Sequence, residues 1–284
     1  MKVDFLNNWF LSKSVAKILV FLLTVCLLAQ ALPAQPAAPI SKVDRTYFKK
    51  ILSDAGMILG SPGQWEKKDW LTFGLCLATT SALLPLDNSI HHQVYDHSCA
   101  TLTLVSRAVS AAGAPVCLFG LVSAGYLVGH FRNSDKTRET FLMAGESLLI
   151  TELLVQAGKI SIGRARPYTL EGPFSFHPIT LQGCWHSFPS GHSAAAWAVA
   201  SCLASRVRSP YLRAAFLSLA SAISLSRIFL DKHFASDVVG AALLGYFVGR
   251  KISKPSLMEN KPKRANISLN LGHRFVAFGL IYQF

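Results

Sequence analysis

Residues 226–237 read SRIFLDKHFASD, and they set an arginine, a histidine and an aspartate into a chain that is otherwise half hydrophobic. His233 and Asp237 are four residues apart, a spacing that puts both on one face of a helix, where a carboxylate can hold an imidazole N–H and fix its tautomer. Arg227 lies six residues before His233, too far round a continuous helix to share that face. A turn near Asp231 and Lys232 would return it.

Two further clusters precede this one. In KISIGRARP, Lys159 and Arg166 are seven residues apart and Pro167 follows directly; by themselves such cations could simply complement the macrodipole at a helix end that the proline stops. In FPSGHSAAAW, Pro189 and Gly191 form a turn and Ser190 is placed to cap a helix that starts around His192. Free N–H groups at such a start make an anion site, although an ordinary cap with a surface histidine fits the same residues. Together the clusters supply one lysine, two arginines, an N-terminal helix nest, two histidines and an orienting aspartate. Phosphoryl transfer without a metal requires that set. The cations disperse the charge of three equatorial oxygens, one neutral histidine attacks phosphorus in line, and the other protonates the departing oxygen.

These three stretches match the signature KX6RP, PSGH and SRX5HX3D, and on them the chain resembles the type 2 phosphatidic acid phosphatase (PAP2) superfamily, which also includes vanadium haloperoxidases and bacterial nonspecific acid phosphatases. The signature covers residues 159–237, and the apolar helices around it extend the similarity over roughly 70–250. The resemblance implies a metal-independent phosphatase of the bacterial envelope that removes a terminal phosphate from a lipid or isoprenoid phosphate. His233 would be the nucleophile that forms a phosphohistidine, Asp237 its orienting partner, and His192 the acid for the leaving group and then the base for water. Lys159, Arg166, Ser190, Gly191 and Arg227 would bind the phosphate. No cofactor is implied for hydrolysis, and vanadate is expected as an inhibitor. Two alternatives stay open: a periplasmic nonspecific acid phosphatase acting on soluble monoesters, and a vanadium-dependent haloperoxidase with vanadate as cofactor in the same anion site.

The elements that must position these groups are helices. Uncharged runs cover 70–86, 108–129, 193–205, 214–226 and 238–249, and a further apolar run, 140–158, is interrupted by Glu146 and Glu152; all are rich in Ala, Leu and Gly and end at charged or Gly/Pro positions. The expected fold is therefore all-α, a PAP2-type bundle of about six core helices spanning 70–252. No internal repeat stands out. Residues 1–34 have Lys13 and Lys17 ahead of an apolar run from Ile18 to Ala29, the layout of a secretory signal peptide or a retained anchor. A Pro/Ala-rich linker and a basic amphipathic stretch fill 35–69. After residue 252 comes a basic linker, and 266–284 alternates like a short β-hairpin or strand.

Composition narrows the setting. The chain is 51% hydrophobic and 15% charged with formal net charge +13, which points to anionic partners such as phosphates or acidic lipids. Nucleic acid fits poorly, since no basic stretch is interleaved with exposed aromatics. The basic residues gather in alternate loops, at 132–138, 206–213 and 250–264, as the positive-inside rule expects of a membrane protein. The expected location is the inner membrane with the site facing the periplasm. A leader that exported residues 32–69 would reverse that orientation by helix parity. Cys76, Cys117 and Cys202 lie in apolar runs, and Cys99 and Cys184 lie in polar connections where they could pair. His91, His92 and His97 are expected at the surface. Glu146 and Glu152 either pair with buried basic groups or face solvent.

Overall fold

In the computed structural model the described residues are 42–253, together with 271–272 and 275–276. Up to Ser253 they belong to one compact unit, and Lys254–Phe284 forms a second. In the first unit the described residues form α1 (Arg45–Gly60), α2 (Lys67–Leu83), α3 (Asp87–Asp96), α4 (Ala100–Ala112), α5 (Pro115–Phe131), α6 (Asp135–Ile162), α7 (Gly191–Arg206), α8 (Pro210–Phe229) and α9 (Ala235–Ile252). The second unit contains Leu271–Gly272 paired antiparallel with Phe275–Val276; the rest of the expected hairpin lies outside the described residues, as does the leader.

Each of the six apolar runs is helical, but the second is not one helix. It breaks at Gly113–Ala114 into α4 and α5, whose axes differ by 51°. Pro115 opens α5, and the residue before it is extended, with Ala114 at φ −60° and ψ 136°. Proline disfavours helical geometry at the preceding residue, so the run has to bend there. Two helices lie outside the six runs: α1, in the basic amphipathic stretch, and α3.

The core sits where α7 packs against α6, α8 and α9. Alanines and serines on α7, including Ala194, Ala198 and Ser201, are buried, and Gly245 and Gly249 face them from α9. A Cβ at either glycine would run into the carbonyl oxygen of Ala194 or Ala198, so the two backbones meet at a distance only glycine permits. Larger side chains, among them Phe141, Leu148, Val199, Phe216 and Ile223, close the core around this contact. Close van der Waals packing of these side chains holds the helices against one another.

Chain direction decides which groups share an end. The last turn of α6 and the first turn of α7 meet at one end of the bundle, where a Cβ on Gly191 would lie 3.2 Å from Lys159 Nζ. At the other end of the same pair, Arg206 Nη2 lies 3.0 Å from Glu139 Oε2. Tyr47 of α1 also lies toward that second end, donating from its hydroxyl to the Leu142 carbonyl at 3.0 Å. Lys50 pairs there with the buried Glu146 at 2.8 Å and with Asp54.

Among the described residues, three helical segments are long and apolar enough to cross a membrane: Lys67–Val94, α6 and α8, or four if the bent pair α4–α5 is one span. The apolar window of Lys67–Val94 is 0% buried. Trp70, Leu71, Phe73, Leu75 and Leu77 are all exposed there, a continuous apolar surface of the kind that monomeric soluble proteins rarely present.

Candidate active site

Four helix ends build the site. Lys159 lies in the last turn of α6, which stops at Gly163 in the left-handed conformation (φ 59°); a side chain there would strike the His177 carbonyl. The chain then folds back on itself. His177 N–H donates to Gly163 O at 2.7 Å, and Ala165 N–H donates to Ser175 O at 3.0 Å. Arg166 is tied into the following segment by its N–H, which donates to Cys184 O at 3.0 Å.

α7 begins at Gly191, and His192 stands half-buried in its first turn. Ser190 occupies the N-cap position, but its side chain makes no capping bond. Its Oγ is buried without a hydrogen-bond partner among the protein atoms, and so are Nε of Arg166 and Nε of Arg227. Donors buried without acceptors are costly, and a bound oxyanion is the kind of ligand that supplies acceptors to such groups.

Arg227 lies in the last turn of α8 and donates from Nη1 to Ser110 Oγ of α4. The turn required by the sequence is present: Asp231 has φ 58°, and Lys232 N–H reaches back to Arg227 O at 3.1 Å. His91, expected at the surface, is instead half-buried against this turn, with Nε2 2.6 Å from Asp231 Oδ1. The reason is tertiary: α3 packs beside α8 and α9. His92 and His97 are exposed.

His233 is not on the helix that carries Asp237, because α9 starts only at Ala235. Four-residue helical spacing therefore does not apply to the pair. His233 Nδ1 lies 4.0 Å from Asp237 Oδ2 and only 2.7 Å from the carbonyl oxygen of Ser187. A carbonyl can only accept, so Nδ1 carries the proton and Nε2 keeps its lone pair. Asp237 reaches the same serine: Ser187 Oγ donates to Asp237 Oδ2 at 2.5 Å. That carboxylate also accepts from Phe234 N–H at 2.9 Å and from Arg164 Nη1 at 2.6 Å.

Arg164 was not among the residues the sequence singled out. It is 1% exposed, and besides Asp237 it donates to Asp87 Oδ2 at 2.8 Å, to Ser236 Oγ at 2.7 Å and to Pro173 O at 2.9 Å. Its guanidinium lies 4.7 Å from the Phe234 ring centroid. Nothing local marks Arg164 rather than Arg166 as the buried member of the pair, and Ser187 lies just ahead of the PSGH stretch with no pattern of its own.

The charges converge on the two imidazoles. Burial, reinforced by Arg227, Lys159 and Arg166, holds His192 down to about 3. Burial and the same cations, Arg166 foremost, hold His233 well below its ordinary value, against a smaller opposing effect of the Ser187 carbonyl. Both rings are therefore neutral at pH 7. Burial also raises the Asp237 carboxyl, opposed by Arg164, Ser187 and the Phe234 N–H.

The segment between the first two motifs is held by its own polar network. Glu171 accepts from Ser175 Oγ at 2.6 Å and from Trp185 Nε1 at 3.0 Å, and pairs with His177 at 2.8 Å. These bonds hold its carboxyl at about 2. His177 stacks on Trp185 with centroids 4.0 Å apart. Cys99 and Cys184 are both free, so the pairing allowed by the sequence does not form; Cys99 instead caps α4. Glu152 is half-buried beside Gly191. Among the described residues no group of three or more His, Cys, Asp or Glu side chains is placed to hold a metal ion.

Residues 140–255 match the model of the PAP2 superfamily. A lipid A 1-phosphatase of Rhizobium etli is 36% identical over 104 residues, 36% of this chain and 44% of that protein. One of Porphyromonas gingivalis is 39% identical over 98 residues, 34% of this chain and 19% of that protein. The match thus spans less than half the length of these curated relatives. Among solved structures, LpxE of Aquifex aeolicus aligns with TM-score 0.46 at 23% identity, covering 58% of this chain and 92% of that one. A transmembrane PAP2 type phosphatidylglycerolphosphate phosphatase from Bacillus subtilis aligns with TM-score 0.47 at 22% identity, covering 77% and 98%.

Proposed function

We propose that this chain is a PAP2-type phosphatase that releases a terminal phosphate from a lipid phosphate through a phosphohistidine on His233, without a metal. The observation that carries the reading is the state of the two imidazoles: both neutral, both beside the same three cations, and one with its Nδ1 proton committed to a carbonyl. Nε2 of His233 is then the free nucleophile.

In the first step Nε2 of His233 bonds to phosphorus as the bond from phosphorus to the leaving oxygen breaks. Lys159, Arg166 and Arg227, with Ser190 and the N–H groups at the start of α7, hold the equatorial oxygens and disperse their charge. His192 gives its proton to the leaving oxygen. Protonation of His192 depends on substrate, because the incoming dianion offsets the cations that hold its pKa down in the free site. In the second step water attacks phosphorus, the bond to Nε2 breaks, and His192 recovers a proton from that water. Asp237 acts on His233 through Ser187.

The substrate reading, a lipid A or related lipid phosphate, rests on the names of the relatives and on the apolar exterior. Lipid-facing α2 and the spans α6 and α8 would set the bundle in the envelope membrane. Thr140, at the arginine-bearing end of α6, is 19 residues before Lys159, or about 28 Å of helix, close to the ~30 Å of a bilayer hydrocarbon core. With Arg132, Arg206 and Arg208 toward the cytoplasm, the site opens on the periplasmic face, and α1 then lies with the cytoplasmic loops.

A phosphate-release panel on lipid A, phosphatidylglycerophosphate, phosphatidate, undecaprenyl diphosphate and a soluble monoester tests the reading. Release from at least one lipid, inhibited by vanadate and insensitive to EDTA, is expected. Release from the soluble monoester alone would favour the acid-phosphatase alternative, and halide-dependent bromination with vanadate but no phosphate release would overturn the reading in favour of the peroxidase.

A further inference from the structure

We infer that Asp87, contributed by α3 and lying outside the PAP2-matching segment, is a positioning residue for the His233 nucleophile. It acts through Arg164, Ser236 and Asp237, and the inference rests on the phosphatase reading above. Asp87 is the first residue of α3 and is fully buried. Its Oδ2 accepts from Arg164 Nη2 at 2.8 Å and from Ser236 Oγ, and its Oδ1 accepts from the Ser236 N–H at 2.9 Å. The carboxylate therefore grips the first turn of α9 by backbone and side chain at once, one residue before Asp237.

What the second carboxylate adds is geometry and not charge balance, since Arg164 and Asp237 alone would already be a neutral buried pair. Asp87 takes one nitrogen of the guanidinium and leaves the other for Asp237. The planar fork is thereby fixed in one orientation by two carboxylates on different helices. Asp237 in turn holds the Ser187 hydroxyl, and the Ser187 carbonyl holds His233 Nδ1. Ser187 is also tied to the arginine itself, since its N–H donates to Arg164 O at 2.9 Å. The chain Asp87, Arg164, Asp237, Ser187, His233 is continuous and buried throughout. None of its members except His233 would touch phosphorus.

A residue of this kind governs the aim of the nucleophile and leaves phosphate binding to Lys159, Arg166 and Arg227. In Asp87→Asn, kcat for phosphate release should fall about ten- to a hundredfold, as expected for a misaimed nucleophile. KM, and the inhibition constant of inorganic phosphate, should stay within about twofold. Asp87→Asn combined with Arg164→Met should lower kcat by less than the product of the two single fold-losses, because the two act as one unit. Should Asp87→Asn fail to fold, Ser236→Ala removes one hydroxyl from the same grip and is expected to lower kcat severalfold with KM unchanged. Wild-type kcat in folded Asp87→Asn, or in Ser236→Ala where that is the variant read, would overturn the inference. So would a loss of kcat matched by an equal weakening of phosphate binding, the mark of a merely structural residue. Absence of phosphate release from every substrate by the wild-type protein would instead overturn the phosphatase reading itself.

Discussion

His233 Nδ1 lies 2.7 Å from the carbonyl oxygen of Ser187, closer than any contact it makes with Asp237, which stands 4.0 Å away. The imidazole is thus oriented by a backbone group, and the carboxylate holds the serine that carries it. Ser187→Ala keeps the carbonyl but deprives Asp237 of a hydroxyl donor. Stability should fall by about 1–3 kcal/mol, and kcat should fall less than in His233→Ala. Phosphate-release kinetics beside an unfolding curve would check both.

His233→Ala should abolish turnover, since it removes the proposed nucleophile. His192→Ala should depend on the leaving group. With an alkyl or sugar phosphate the loss should approach the 10²–10⁴-fold typical of general acid catalysis, and with p-nitrophenyl phosphate it should be much smaller, because that oxygen leaves without protonation. Equal losses on both substrates would count against the acid role.

Acid should destabilise the free protein. His192 and His233 both titrate below the ~6.5 of an unfolded histidine. Below pH 6.5 the unfolded chain therefore binds more protons than the native one, and stability falls as pH drops from there toward 3. The unfolding temperature should decline between pH 7 and pH 5, and less steeply in His192→Asn. Saturating inorganic phosphate should flatten the decline, since its charge raises both histidine values toward those of the unfolded chain.

Arg164→Met should be among the most damaging substitutions outside the reacting groups. It removes the shared cation and leaves Asp87 and Asp237 buried at 0% exposure without it. Breaking a buried pair from one side costs about 3–5 kcal/mol. Chemical denaturation should show that loss, and Arg164→Lys should recover only part of it, because an ammonium cannot engage both carboxylates and Ser236 in one plane.

Gly249→Val tests the packing of α7 against α9 away from the site. The new side chain would meet Ala198 O and Ser201 Oγ, and overpacking of this kind costs about 1–3 kcal/mol. The unfolding midpoint should drop while kcat of the folded protein stays within about twofold.

The sequence by itself determined which residues are proposed to react and the helices that carry them. Lys159, Arg166, His192, Arg227 and His233 stand in motifs whose internal spacing is only a few residues, and the apolar runs declare helices because helical periodicity is a local property of the chain. Even the turn at Asp231 was implied, since Arg227 and His233 cannot otherwise converge. What only the tertiary structure decided was who holds these groups in place. Arg164 finds Asp87 across 77 residues, Ser236 finds Asp87 across 149, and His91 finds Asp231 across 140. Such partners leave no spacing to read. They are chosen when α3 is laid against the start of α9, and the short-range expectation that Asp237 would hold His233 directly failed for the complementary reason. The helix that would have put the two on one face begins two residues too late, so a backbone carbonyl from another motif reached the imidazole first.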